Sequence, residues 1–371
     1  MRKKVTYIIS DIEKALAFEW IAETLNSEKF EISFILLNRK QGSYLENWLK
    51  ARQIPAFFVH YESKKQLFSA FWKIRKILKK IGTQVVHCHL FTASLLGLLA
   101  AKSLGIKKRI FTRHHATLHH EYFPRAVWYD RFINAMATHI VAISENVQEI
   151  LVEKEKVNPK KISLIHHGFR LELFENVPTE LVDELRQKYS LRGKYPVIGV
   201  IARWTYWKGI QYTIPAFAET LQQYPNAHLV LANAKGDYTT EIEKLLKKLP
   251  SNTYTAIVFE NDLPALYQLF DIYVHTPINP QVEAFGQTYI EALAAGIPSV
   301  FTLSGVAKEF IRHKENAWVV PFQNSEKITE AIQNLLQNNA LRNKIIHNGK
   351  ESIQNLFNLQ TMIAKLEGLY E

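Results

Sequence analysis

The chain has 371 residues, 47% of them hydrophobic and 22% charged, the make-up of a globular protein too long for one hydrophobic core, so two domains are expected. Cys88 is its only cysteine, which excludes an internal disulfide or thiolate metal cluster and fits a reducing cytoplasm; no apolar run approaches a membrane span or a signal-peptide core. The net charge of +11 lies wholly in residues 1–190, with 30 Lys and Arg against 19 Asp and Glu, while residues 191–371 carry 16 of each, so the first half is the one whose field attracts phosphate-rich partners.

In chain order, short β-branched runs predict strands at Val5–Ser10, Glu31–Leu37, Ala56–His60, Gln84–His89, Lys108–Thr112, Ile140–Ile143 and Ile162–Ile165, most of them separated by helical patterns. The first strand runs into Asp11-Ile12-Glu13-Lys14-Ala15 with no glycine, so Asp11, Glu13 and Glu19 are the acids available to an acceptor's hydroxyls on that side. Leu67 to Lys80 reads as a helix of bulky apolar residues with an aromatic end and five basic residues interleaved, the pattern of an interfacial membrane helix or of a domain helix with solvated lysines. It lies within residues 51–125, where 14 basic residues face only Glu62 and Glu121. An anionic membrane surface or a charged acceptor suits that field. No nucleic-acid-binding motif accompanies it, so a nucleic-acid partner is not expected.

Two histidine-bearing strand ends follow, Val86-His87-Cys88-His89 and Thr112-Arg113-His114-His115. His87 and His89 share a strand face, and with His114, His115, His119 and His120 they could gather a divalent ion. No acidic cluster nearby in sequence completes such a site, so no metal is expected and the histidines read as hydrogen-bonding residues.

Glu175 to Lys194 is polar, with Pro178 and Gly193, and reads as the connector. A second alternating series then predicts strands at Pro196–Ile201, His228–Ala232, Thr255–Phe259, Asp271–His275, Ser299–Thr302 and Trp318–Val320. Two doubly wound parallel sheets follow, with ligands expected outside the carboxyl ends of their strands and therefore in a cleft between facing domains. Arg203 and Lys208 leave the first strand of the second series, a planar fork and a point charge that together suit a diphosphate. A helix is expected to begin near Gly286, presenting free N–H groups to an anion, with Glu283 before it and Glu291 more than a turn inside. After Gly349 a helical run carries the apolar stripe Ile353, Leu356, Phe357, Met362, Ile363, Leu366 and Leu369.

Glu283-x7-Glu291 running into Ala-Leu-Ala-Ala-Gly-Ile-Pro-Ser-Val resembles the signature of the retaining glycosyltransferase family 4, whose fold is GT-B, and Arg203 with Lys208-Gly209 looks like its G-R-x-x-x-x-K-G motif. Thr112-Arg113-His114 is similar to the family's T-x-H loop, His87-x-His89 to an H-x-H element, Val141 to Ser144 to its A-x-S segment, and His167-Gly168-Phe169 to N-G-V with histidine in place of asparagine. The resemblance runs from about residue 84 to 322. It implies an α/β GT-B architecture of two facing Rossmann-like domains: residues 1–180 for the acceptor, 181–352 for the nucleotide sugar, and a helix at 353–371 crossing back.

By the same resemblance Glu291 binds the ribose, Glu283 the transferred sugar, and the backbone of Gly286, Gln287 and Thr288 the distal phosphate. The base lies along the segment holding Phe259 and Glu260, where Glu260 replaces the usual glycine. His114 lies beside the sugar, with His115 an alternative. Asp11, His89, His115 and Ser144 are expected at the acceptor side or in the cleft, Asp11 from the sequence after the first strand rather than from the resemblance. The implied enzyme is a cytoplasmic hexosyl- or N-acetylhexosaminyltransferase, peripheral at the inner face of the membrane, using no cofactor or metal. It would move sugar from a nucleotide diphosphate, UDP before GDP-mannose, to a glycan or lipid-linked acceptor. Catalysis would rest on Glu283, Lys208, Arg203 and His114. The alternatives are a sugar-nucleotide epimerase or hydrolase of the same fold, and a silent basic adaptor; the presence of Arg203, Lys208, Glu283 and Glu291 counts against the latter.

Overall fold

The computed structural model describes all residues, 1–371, and divides into unit 1, Met1–Phe169 with Leu359–Glu371, and unit 2, Arg170–Asn358. Both are α/β and wholly parallel.

In unit 1 the strands are β1 (Lys3–Ser10), β2 (Phe30–Asn38), β3 (Ala56–His60), β4 (Val85–His89), β5 (Lys108–Arg113), β6 (His139–Ala142) and β7 (Ile162–Leu164). They lie in the order β3-β2-β1-β4-β5-β6-β7. In unit 2 they are β8 (Val197–Ile201), β9 (His228–Ala232), β10 (Tyr254–Ile257), β11 (Ile272–His275), β12 (Ser299–Phe301) and β13 (Trp318–Val319), in the order β10-β9-β8-β11-β12-β13. Each sheet thus starts at an interior strand, third from one edge, runs out to that edge, and restarts on the other side of the first strand. The reversal leaves a crevice at the carboxyl ends of β1 and β4 in one unit and of β8 and β11 in the other.

These runs become central strands because they are β-branched and buried on both faces. In unit 2, Ile198, Val200, Leu229, Leu231, Ile272, Val274 and Val300 form one core with Ile214 and Phe217 of the helix Ile210–Gln223 and Ile328 and Ile332 of the helix Ser325–Gln337. The intervening Tyr273 turns to the opposite face, against Phe270, Phe301 and Tyr267.

Three boundaries differ from the sequence reading. The first division falls at Phe169 because the helix Glu172–Glu175 packs on the helices Leu263–Tyr267 and Gln287–Ala294 of unit 2, with Phe174 against the Tyr267 ring. The expected tail helix is two: Asn339–Gln354, with Phe357 beyond it packed on Phe285 and Phe310 in unit 2, and Leu359–Tyr370 in unit 1. Strand β10 stops at Ile257, leaving Val258 and Phe259 exposed.

The helix Leu359–Tyr370 is anchored deep in unit 1. The Tyr370 hydroxyl meets the Tyr7 hydroxyl of β1 and lies 2.7 Å from His87 Nδ1, while Lys3 Nζ donates to the Tyr370 carbonyl at 3.1 Å and Lys108 Nζ to the Leu369 carbonyl at 3.2 Å. No helix of the chain is long and apolar enough to cross a membrane.

Candidate active site

In unit 2 the loops that leave β8 and β11 at the strand-order reversal bring the two key motifs together. Lys208 Nζ donates to Glu283 Oε1 at 2.5 Å, and His275 Nε2, from the end of β11, lies 3.3 Å from the same oxygen. Glu283 and His275 are buried. Burial alone would raise the Glu283 pKa, but the Lys208 ammonium and the His275 ring outweigh it and hold the carboxyl below the usual carboxylate range. Glu283 is therefore a fixed anion with its counter-ion supplied. The loops approach this closely because Gly209 closes the Lys208 turn at φ 74°; a Cβ there would stand 1.8 Å from the Thr276 carbonyl oxygen.

Arg203, two residues past the end of β8, is exposed and makes no ion pair. Its guanidinium is at the disposal of an anion. Beyond Glu283 the helix Gln287–Ala294 starts at Gly286, whose φ of 91° turns the chain into the first turn, so that the backbone N–H groups of Gln287 and Thr288 open that helix without a side-chain cap. Glu291, a turn further on, accepts a hydrogen bond from the Tyr267 hydroxyl at 2.9 Å. Burial pushes its pKa up to about 7, with the Tyr267 bond opposing. The two glutamates of the motif thus differ in charge: Glu283 ionised throughout the neutral range, Glu291 poised at its middle.

Past β10, Phe259 is 62% exposed and offers an open aromatic face, whereas Glu260 is tied down. Its Oε2 accepts from Lys188 at 2.7 Å and from the Tyr189 hydroxyl, and its Oε1 from the backbone N–H groups of Asn261 and Asp262 at 2.7 and 3.2 Å. Glu260, standing where the family resemblance implies a glycine, closes its own turn.

In unit 1 the expected histidines separate into three groups. His87 is fully enclosed between Thr112 Oγ1, 2.8 Å from Nε2, and Tyr370, so it is a core residue rather than one facing a cleft. His89 stacks on Tyr7 and its Nδ1 lies 3.0 Å from His114 Nε2; the His114 ring in turn stacks on His167. Burial first, and neighbouring imidazoles second, hold His89 and His114 far below the ordinary histidine range, so both are neutral. His115 belongs elsewhere: with His119 it converges on Asp130, and with Arg113 and Glu155 these form a buried network. The expectation that no carboxylate completes a histidine cluster is therefore corrected, since Asp130 arrives from the helix Val127–Met136, a contact made only by tertiary packing.

Two acceptor-side expectations also find definite places. Ser144, expected at the acceptor side or in the cleft, is fully buried, and its Oγ accepts from the Val147 N–H at 3.2 Å as the N-cap of the helix Glu145–Glu149. Asp11 is exposed at the carboxyl end of β1 with φ 51°, and Leu90 past β4 has φ 67°. The left-handed turns that glycines would supply are here made by other residues, aspartate being the more tolerant of the two.

Residues 21–173 match the family model described as Glycosyltransferase Family 4, and residues 182–352 match that described as Glycosyl transferases group 1. The chain is 24% identical over 360 residues to the capsular polysaccharide biosynthesis glycosyltransferase CapM of Staphylococcus aureus, covering 94% of this chain and 91% of that one. It is 22% identical to the UDP-Gal:alpha-D-GlcNAc-diphosphoundecaprenol alpha-1,3-galactosyltransferase of Escherichia coli, covering 98% and 94%. Of three other relatives it spans 56–64% of the length. Among solved structures, Anabaena HepE in complex with UDP-glucose superposes with a TM-score of 0.82 at 20% identity over 99% of both chains.

Proposed function

Because the chain belongs to the family 4 type of GT-B glycosyltransferase, we propose that it is a retaining enzyme moving a hexosyl or N-acetylhexosaminyl group from a nucleotide diphosphate sugar to a glycan or lipid-linked acceptor in polysaccharide or glycolipid synthesis. The observation that carries the reading is the meeting, at one strand-order reversal, of an unpaired guanidinium, a lysine–glutamate pair and an uncapped helix N-terminus. That set is built for a diphosphate leaving group attached to a polyol.

In this reading Arg203, Lys208 and the N–H groups after Gly286 take the charge that grows on the departing phosphate. Metal and cofactor have no assigned part in it. Glu283, kept ionised by Lys208, accepts hydrogen bonds from the transferred sugar, and Glu291 accepts them from the ribose. The anomeric carbon–phosphate oxygen bond breaks as the bond to the acceptor oxygen forms on the same face, and the acceptor proton passes to the phosphate oxygen. No side-chain base is needed. Neutral His114 serves as a hydrogen-bonding partner of the sugar, as the family resemblance assigns it.

A UDP donor is favoured by the names of two relatives, the galactosyltransferase that uses UDP-Gal and HepE bound to UDP-glucose. A lipid-linked acceptor and an anionic membrane face are favoured by unit 1. Phe68 and Trp72 stand exposed on the basic helix Leu67–Ile81, and a cavity of about 300 Å³ is walled by Leu67, Phe91, Leu95, Phe123 and Tyr129 with Lys64 at its edge.

The test is a thermal-shift panel of UDP, GDP, ADP and their sugar conjugates, with and without EDTA. A rise for one nucleotide, indifferent to EDTA and lost in Arg203→Ala, is expected. A shift that needs a divalent ion, or none with any nucleotide, would overturn this assignment.

A further inference from the structure

His115, His119 and Asp130 in unit 1 form a convergent group that glycosyl transfer, as proposed above, leaves unused. His115 follows β5, His119 lies in the short helix Leu118–Tyr122, and Asp130 stands in the first turn of Val127–Met136. His115 Nε2 and His119 Nδ1 lie 3.2 and 2.7 Å from Asp130 Oδ2, and the three ligand atoms all fall within 4.8 Å of one another. Donors bound at about 2.0–2.1 Å around a tetrahedral zinc ion stand about 3.4 Å apart, so the His115–Asp130 pair already has nearly that spacing and the His119–Asp130 pair would open by about 0.7 Å to admit an ion.

The surroundings supply what a ligand set needs besides its atoms. The carboxylate is oriented from behind: Arg113 Nη1 lies 3.1 Å from Asp130 Oδ1, and Arg113 Nε donates to the His115 carbonyl at 3.1 Å, fixing the backbone that carries the first imidazole. Charge also favours a cation. Asp130 and Glu155 are both buried and share the single guanidinium of Arg113, 2.5 Å from Glu155 Oε1, which leaves one negative charge to be met by protonation or by an ion. His119 lines the wall of the 300 Å³ cavity, which gives a solvent route and room for a water as fourth ligand.

We propose that His115 Nε2, His119 Nδ1 and Asp130 Oδ2 form a site for a divalent transition ion of the zinc class, with imidazole donors selecting against Mg²⁺ and Ca²⁺. The ion would clamp the 114–122 segment to the helix Val127–Met136. It takes no part in glycosyl transfer, so the site stands or falls independently of the reaction assigned to the enzyme.

The experiment strips the full-length protein with a chelator and titrates it with Co²⁺, reading the visible absorption of a tetrahedral complex, then displaces the Co²⁺ with Zn²⁺. One equivalent is expected. His115→Ala and His119→Ala are each expected to weaken binding by about 100-fold or more, the scale of losing a ligand that even outer partners can approach, while the exposed His347→Ala leaves it unchanged. Melting curves in chelator establish that the variants fold. Absence of a stoichiometric complex, or uptake that survives in both variants, would show that the group is only a hydrogen-bonded network.

Discussion

Lys208 Nζ and Glu283 Oε1 stand 2.5 Å apart, although 75 positions separate them in the chain. One is presented by the loop after β8 and the other by the loop after β11, adjacent strands whose loops diverge only at the reversal of strand order. In the reaction proposed above, the pair supplies half of the phosphate clamp and half of the sugar clamp at once.

Removing Lys208 takes the ammonium from the buried Glu283 carboxylate, leaving it only its neutral neighbours. Lys208→Ala is expected to cost about 3 kcal/mol of stability, and adding Glu283→Gln should return part of it. Urea unfolding of the two variants measures the difference; equal midpoints would mean that the pair contributes nothing to the fold. With a working donor, Lys208→Ala should lower kcat more than it raises KM.

Arg203 is exposed and unpaired, so its loss should spare the fold. Arg203→Ala is expected to keep the wild-type melting temperature and to bind the nucleotide about tenfold more weakly, the scale of a charge-assisted hydrogen bond to phosphate. Calorimetric titration with UDP checks both halves of this statement. A variant that melts early would place the guanidinium in the structure rather than at the ligand.

Glu291 titrates near pH 7, and only its carboxylate can accept two ribose hydroxyls. Nucleotide affinity should therefore rise by about tenfold between pH 6 and pH 8, a step that Glu291→Gln abolishes. For the fold the sign is opposite. The folded pKa is raised, so the group's contribution to stability is complete below its unfolded value near 4.5 and is lost as pH climbs through 7. A flat binding profile in the wild type would remove Glu291 from the ribose.

Gly209→Ala asks for a Cβ 1.8 Å from a backbone oxygen at a left-handed φ. The turn must move, carrying Lys208 from Glu283, and we expect a loss of more than about 2 kcal/mol together with transfer activity. If Gly209→Ala melts and turns over as the wild type does, the close approach of the two loops is dispensable.

Tyr370→Phe deletes one hydroxyl from the core of unit 1 and strands His87 Nδ1 and the Tyr7 hydroxyl. A cost of about 1–3 kcal/mol is expected, read by thermal or urea unfolding. An unchanged midpoint would show that Tyr7 and His87 find other partners.

The sheets were readable because parallel strands buried on both faces are written as continuous β-branched runs; all thirteen strands fall where those runs stand, Ala56–His60 and His228–Ala232 to the residue. The helix after Gly286 was equally plain from its glycine and its alanine-rich body. Much of the side-chain geometry was not. Nothing local says that His87 faces the last helix, that Asp130 reaches two histidines, or that Glu260 is held by Lys188 and Tyr189, since each depends on packing between segments far apart in sequence. Ser144 is the exception: a serine before Glu-Asn-Val-Gln-Glu is a cap signal that its resemblance to a family segment overshadowed.

Tyr370 also has a consequence for biosynthesis. The core of unit 1 is closed by a residue that leaves the ribosome only after all of Arg170–Asn358 has been made. During translation the first 169 residues therefore present an unfinished groove beside Tyr7 and His87, while unit 2, continuous in sequence, can fold as soon as it emerges. The order of emergence is not the order of completion: the half that appears first is the last to be sealed, and a chain truncated before Leu359 would leave a nascent enzyme with its second unit formed and its first still open.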